Sequence, residues 1–400
     1  MSQITQSECS KVISAKLKTR DFKILRYQQI EFDEIVGYLG DHCTLEITIL
    51  RDNHEETYSF FMKSAPRVPS QRTFFEEIDG FSKEKNFFTK FHPMLKRHNI
   101  DIIDDVIPEC YLVFDETFIL DDLKRKGYVT LPSRSPLAID CIKAALASLA
   151  KLHASGLILE ETKSCRLTDE FSLKESFYSG QGSAEQALQS AKGGMRAFCD
   201  WAKTDEALKT RIVSGIEEKK TFAVPSSRFR NTICHADPWT KNFLFKFEDG
   251  KAINCVTVDW QTYRYGPPAQ DVLAFIYLVA DGDVRKTHFD ELLAFYYGEL
   301  SKAMGKFGFG DVVTREEFFQ SCQYFKQFAL TQSLTHFQVV LLSDEDGKEL
   351  FGNPEKAKSV IFGDDRYEFV QKILAKDPVF RKRVCSSVEE LIKLHEEKCN

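Results

Sequence analysis

The chain has 400 residues, 43% of them hydrophobic, enough to bury a large core and to form two or three lobes. A net charge of −6, spread without long blocks, excludes the basic footprint of a nucleic-acid binder, and the lack of an uninterrupted apolar run of about 18 residues argues against a membrane span. A polar N-terminus without an apolar signal core, and eleven cysteines with no C-x-x-C pair, predict a cytoplasmic monomer with reduced thiols and a small soluble partner.

From about Phe22 to Lys63 the pattern is strand-like. Leu45, Ile47 and Ile49 alternate onto one face, and Arg51-Asp52-Asn53-His54 forms a turn before Tyr58 to Met62. Counting outward from that turn sets Lys63 opposite His42, beside Gly37-Tyr38-Leu39-Gly40-Asp41. Gly37 and Gly40 read as a plain hairpin loop, since they do not match G-x-G-x-x-G. They also suit a phosphate cover, with an ammonium at the end of the returning strand. A helix follows from Gln71 to about Lys90, ending near Pro93. Its Phe81, Glu84, Phe88 and Phe91 share one stripe. Glu84 therefore either reaches water at the stripe's edge or needs a buried partner, for which Lys63 is the candidate.

The short strand Phe118 to Leu123 breaks into charged Lys124-Arg125-Lys126 and Gly127, which predicts a lobe boundary between residues 1–122 and 123–400. Ser135-Pro136 reads as a helix start, Ile139, Ile142, Leu146, Leu149 and Leu152 as its buried face, and Gly156 as its stop. His153, in the last turn, reads as structural. Residues 160–225, with Gly180, Gly182, Gly193 and Gly194 among probable helices, form an insertion without assignable chemistry. Past Pro267-Pro268 the chain turns helical nearly to its end, and the Phe-, Tyr- and Gln-rich stretch 318–342 suits a packed core or an apolar substrate pocket.

The most informative stretch is 231–271, where Asp237, Asn242 and Asp259 are separated by five and seventeen residues. Glu248-Asp249-Gly250-Lys251 between apolar runs is a hairpin turn. Counting outward from it, Asn242 faces residue 257, two short of Asp259, so an amide oxygen and a carboxylate meet at one hairpin end. Cross-strand neighbours lie roughly 5 Å apart. That donor set suits Mg²⁺, and Asp237, just upstream and preceded by His235, is free to act on a substrate. Alone, the spacing would describe an ordinary solvated ribbon. Together the features suggest phosphoryl transfer.

These residues resemble the ecdysteroid kinase-like (CHK kinase-like) family of insect small-molecule kinases, relatives of choline kinases and aminoglycoside phosphotransferases, over about residues 30–340. The segment CHADPWTKNFLF at 234–245 is similar to C-H-G-D-x-W-x-N-N-x-x-F. VDWQTYRYGPPAQD at 258–271 is similar to V-D-F-Q-x-x-R-Y-G-x-P-x-x-D, and LDDLKRKGY at 120–128 to L-E-D-L-x-x-x-G-Y. The resemblance implies an α+β, two-lobed protein-kinase-like fold, with a small antiparallel β N-lobe and a larger, mostly helical C-lobe. It implies ATP and Mg²⁺ as cofactors and a small-molecule hydroxyl as acceptor, with ecdysteroids as the namesake substrates. By position, Asp237 would be catalytic, Asn242 and Asp259 metal ligands, Lys63 the lysine on the phosphates and Glu84 its partner. The loop with Gly37 and Gly40 would cover the nucleotide, the backbone around Asp121 and Leu123 would hold the adenine, and Asp271 would brace the catalytic loop.

Three residues depart from the pattern: Ala236 for glycine, Lys241 for the first asparagine, and Asp121 for glutamate. None removes a group with a direct chemical role, so an active kinase is expected. The alternatives are an inactive nucleotide- or ligand-binding protein on a kinase scaffold, which Ala236 and Lys241 would favour, and a choline/ethanolamine kinase-like enzyme. A protein kinase would carry D-F-G and A-P-E, whereas Asp259 is followed by Trp260-Gln261.

Overall fold

A computed structural model describes residues 3–32, 40–178, 181–310 and 312–397. The first helix, α1 (Gln6–Leu17), starts at a reciprocal cap in which Thr5 and Glu8 satisfy each other's backbone N–H groups. It is followed by β1 (Lys23–Glu31), β2 (Asp41–Arg51) and β3 (His54–Ser64). Asp52 and Asn53 both take positive φ (51° and 62°), as a two-residue hairpin turn requires, and Lys63 stands opposite His42 as the count predicts. Gly37 lies outside the described residues.

The helix expected from Gln71 to Lys90 is instead three helices, α2 (Pro69–Glu77), α3 (Gly80–Asn86) and α4 (His92–Arg97), with a π-turn at Phe87–Phe91. Asp79 breaks the run with a left-handed φ of 56°. Pro93 does not end it, because it occupies the first turn of α4, where its missing N–H is not needed. Strands β4 (Cys110–Phe114) and β5 (Thr117–Asp121) complete an antiparallel sheet of order β1-β2-β3-β5-β4. One sheet face packs Leu45, Ile47, Phe60, Met62 and Ile119 on Cys9, Val12 and Ile13 of α1.

Beyond the short β6 (Tyr128–Thr130), α5 runs from Ile139 to Lys163. Its N-cap is Ala138, not Ser135, and Gly156 lies inside it. A β-carbon at Gly156 would come within 2.5 Å of Thr232 Oγ1, so the glycine serves close packing, not termination. By length and composition α5 could cross a membrane, but 78% of its apolar window is buried in the protein. α6 (Gly182–Trp201) likewise runs through Gly193 and Gly194, and α7 (Glu206–Phe222) follows.

The central stretch forms β7 (Thr232–Cys234), β8 (Phe243–Glu248), β9 (Lys251–Thr257) and β10 (Arg264–Gly266). The β8–β9 register departs from a simple count, because Lys246 faces Asn254 while Phe247 faces Ala252. This bulge moves Thr257 opposite Phe243, and Val258 N–H bonds the Asn242 carbonyl (3.0 Å). The remainder is helical: α8 (Pro268–Val279), α9 (Gly282–Gly305), α10 (Arg315–Val340), α11 (Asp344–Phe351), α12 (Pro354–Phe362), α13 (Arg366–Lys376) and α14 (Pro378–Glu397). The fold is α+β and two-lobed, an antiparallel sheet followed by a larger helical part whose core joins α5, α8 and α10.

Candidate active site

The end of β3 brings Lys63 into a buried charge cluster. Its Nζ lies 2.6 Å from Glu84 Oε2 and 2.9 Å from Asp259 Oδ1. Glu84 is 1% exposed, so the reading in which it reaches water is excluded. Burial pulls the Lys63 ammonium pKa down, but Asp259 and Glu84 more than offset this and hold it above its ordinary value. Phe87, outside the expected stripe, backs the cluster by stacking on Trp260 at 3.9 Å between ring centroids. Trp260 N–H donates to Glu84 Oε1 (3.4 Å), tying the residue after Asp259 to the helix that carries Glu84. Asp259 itself takes a φ of 71°.

Asp237 follows β7 in a loop closed by Asn242. The Asn242 Nδ2 donates to the Asp237 carbonyl (2.9 Å) and to Asp237 Oδ2 (3.0 Å). On the opposite side, Asp237 Oδ1 lies 3.4 Å from His336 Nε2 of α10. Burial would raise the Asp237 carboxyl, but His336, His235 and Asn242 hold it below the usual carboxylate range. The loop is braced from beneath by Asp271 in α8, which accepts the N–H groups of His235 (2.5 Å) and Ala236 (3.0 Å) and contacts His153 (3.2 Å). Ala236 has a φ of 69°, a left-handed conformation that glycine takes freely and alanine only under strain. Its own N–H bond into Asp271 and the bond that its carbonyl accepts from Gln332 Nε2 (3.4 Å) hold it there.

His153, Cys234 and Asp271 bring three ligand-type atoms together, but those atoms already have partners. His153 Nδ1 meets Tyr296 OH at 2.6 Å, Asp271 holds the loop amides, and Cys234 Sγ donates to the Gly266 carbonyl. His153 is thus structural, within α5 and not in its last turn. The Asn242 and Asp259 side chains instead offer an amide oxygen and a carboxylate, the hard donors Mg²⁺ prefers.

At the expected hinge, the Asp121 carboxylate contacts Tyr111 OH (2.6 Å), Lys126 Nζ (2.5 Å) and Lys16 Nζ (3.4 Å), while its N–H bonds the Glu109 carbonyl. Asp121 is therefore separate from the Lys63 cluster. Leu123 packs with Leu244 and Val256 in an apolar group that Tyr128 and Val258 flank. Gly40 lies at the start of β2, where a β-carbon would meet His42 and the Ser64 carbonyl at 3.2 and 3.3 Å. A cavity of about 550 Å³ lined by Arg166, Arg228 and Arg230 contains none of these residues.

Sequence reading missed His336 and Gln332. The available signal was a polar trio, Gln332, Thr335 and His336, at helical spacing within an aromatic run.

The ecdysteroid kinase-like family model matches residues 37–309, more than half of the chain. The chain belongs to the ecdysteroid kinase-like family. Its two-lobed architecture agrees with the protein-kinase-like fold expected for such a member. Among solved structures it is similar to a Plasmodium vivax ethanolamine kinase (12% identity, TM-score 0.41, 90% of this chain and 83% of that one). It is also similar to a microcompartment-associated aminopropanol kinase (12%, 0.41, 82% and 95%) and to an ADP-bound aminoglycoside phosphotransferase (12%, 0.34, 90% and 99%). No curated protein matches this family member.

Proposed function

We propose that the protein is an ATP- and Mg²⁺-dependent small-molecule kinase that transfers the γ-phosphate to a hydroxyl of a neutral, lipophilic acceptor such as an ecdysteroid or a xenobiotic metabolite. The observation that carries this reading is the bridge made by Lys63 between Glu84 and Asp259, beside a loop in which Asn242 holds Asp237. Lys63 would bind phosphate oxygens and Glu84 would orient it. Asn242 and Asp259 would hold the metal, whose charge offsets that developing on the phosphates when it is bound. Asp237, kept ionised, would orient the acceptor hydroxyl and take its proton. Gly40 and the backbone around Asp121 and Leu123 would border the nucleotide. The division at residues 122 and 123 is part of this reading and is supported by the end of β5 at Asp121.

Charge near Asp237 supports a neutral acceptor over choline or ethanolamine. Burial, and after it the charges of Glu175 and Asp237, raises the Tyr178 phenol, and Lys219 lies over that ring at 4.8 Å. Arg264 is paired with Glu175 at 2.9 Å. Lys219, 1% exposed, has no carboxylate within ion-pair distance among the described residues. Around a bound cation, Arg264 and, when protonated, Lys219 would stand against Glu175 and the ionised Asp237, so no acidic excess beyond the catalytic aspartate favours choline or ethanolamine.

The test is incubation with γ-labelled ATP and Mg²⁺ against ecdysteroids, other neutral sterols, choline and ethanolamine. Label on a neutral alcohol is expected. Label on choline or ethanolamine would overturn the acceptor class, and nucleotide binding without transfer to any alcohol would overturn the kinase reading.

A further inference from the structure

α10 contributes more to the site than a core face. His336 Nδ1 lies 2.9 Å from the Gln332 carbonyl oxygen, and its Nε2 lies 3.4 Å from Asp237 Oδ1. Both partners are acceptors. Either neutral tautomer would set one ring nitrogen's lone pair against an oxygen, whereas the imidazolium has a hydrogen for each. The geometry therefore holds the ring as a cation against the catalytic carboxylate. Burial works against the Asp237 charge, and His336 is foremost among the groups that stabilise it. The other carboxylate oxygen is taken by Asn242 (3.0 Å), so an acceptor hydroxyl that reaches Asp237 meets Oδ1, beside the imidazolium. The Asp237 and His336 side chains are 28% and 19% exposed, so both can be approached from outside.

We propose that His336 determines the charge of the acceptor: by neutralising Asp237 in place, it removes the pull that the aspartate would otherwise exert on an amino alcohol. This rests on the kinase reading above. A choline-type acceptor carries its ammonium two carbons from the reacting hydroxyl, within a few ångströms of both charges. There Asp237 and His336 sum to zero, as do Arg264 and Glu175. Lys219, which donates to the hydroxyl of Thr335 beside His336 (2.8 Å), adds only positive charge. Removing the imidazolium leaves Asp237 uncompensated, and the site gains one negative charge next to the reacting oxygen. A unit charge at that range, screened as it is near a protein surface, changes the binding of a cation by about tenfold or more. A neutral alcohol of the same shape gains nothing from it.

The test compares two acceptors that differ in charge alone: choline, and the alcohol in which a tert-butyl group replaces its trimethylammonium. Each is incubated with γ-labelled ATP and Mg²⁺ on wild type, His336→Gln and His336→Glu. Wild type should favour the neutral alcohol in kcat/KM. His336→Gln keeps a hydrogen-bond donor toward Asp237 without the charge, so it should move the ratio toward choline by about tenfold, and His336→Glu should move it further. KM for ATP should stay within about twofold in both variants. A ratio that neither variant moves would overturn the proposal, as would a wild type that prefers choline. Both acceptor rates falling in step with ATP binding would overturn it too, and assign His336 a structural role. Label on an ecdysteroid but on neither small alcohol would also overturn it, because size and not charge would then select the acceptor. If wild type labels no alcohol at all, the kinase reading fails and this inference falls with it.

Discussion

Replacing Lys63 and Glu84 one at a time and together probes the buried charge cluster most searchingly. Glu84→Leu leaves Lys63 with Asp259 alone, 2.9 Å away and 28% exposed, and removes the acceptor for Trp260 N–H. Breaking a buried pair costs about 3–5 kcal/mol, and the surviving partner places this variant near or below the lower end, about 2–3 kcal/mol. Lys63→Met strands Glu84, 1% exposed, without its cation and should cost about 3–4 kcal/mol. The double variant removes both buried charges and substitutes apolar volume, so its loss should be no larger than that of either single, about 1–3 kcal/mol. The coupling is then at least about 2 kcal/mol, against about 0.3–0.5 kcal/mol for independent sites. Urea unfolding of the four proteins at one pH and ionic strength measures it. Additive losses would refute the pairing, and ATP titration of the double variant should show lost binding despite regained stability.

Ala236→Gly should stabilise the protein. A left-handed alanine costs about 1–2 kcal/mol, and the added freedom of glycine in the unfolded chain returns about 0.4–1 kcal/mol of that; a lowered urea midpoint would contradict the strain. Lys219→Met tests the buried amine, whose pKa is pushed down to about 7 by burial and by Arg264. A depressed lysine means that the unfolded chain binds more protons between about pH 7 and its ordinary 10.5, so wild-type stability should rise with pH across that window, by at most about 1.4 kcal/mol per unit from this group. The methionine variant should lose that slope and be the more stable protein at pH 6; equal slopes would refute it. Gly156→Ala should destabilise by about 1–3 kcal/mol through overpacking, given the 2.5 Å approach to Thr232, and an unchanged melting temperature would refute the close-packing role.

The geometry most legible in the sequence was local. Hairpin counting from Asp52-Asn53 located Lys63, and the aromatic stripe singled out Glu84 as a carboxylate in need of a partner. The β8–β9 count slipped by one because the bulge near Ile253 has no distinctive residue type to announce it. Gly156 and Pro93 were misread for a common reason: a glycine stop and a close-packing glycine look alike until the neighbouring strand is known, and a proline can open a helical turn as readily as end one. The Thr5-Glu8 cap of α1 was readable but unused. His336 showed only as one of a polar trio in an aromatic run, since periodicity identifies the buried face of α10 but not the loop, 99 residues earlier, that meets it.

The central claim is that Asp237 acts on the acceptor at a site where Lys63, Asn242 and Asp259 hold the nucleotide. Measuring label transfer from γ-labelled ATP by Asp237→Asn, alongside its affinity for ATP, tests this most directly. Transfer should vanish while ATP binding persists; near-normal transfer would contradict the account.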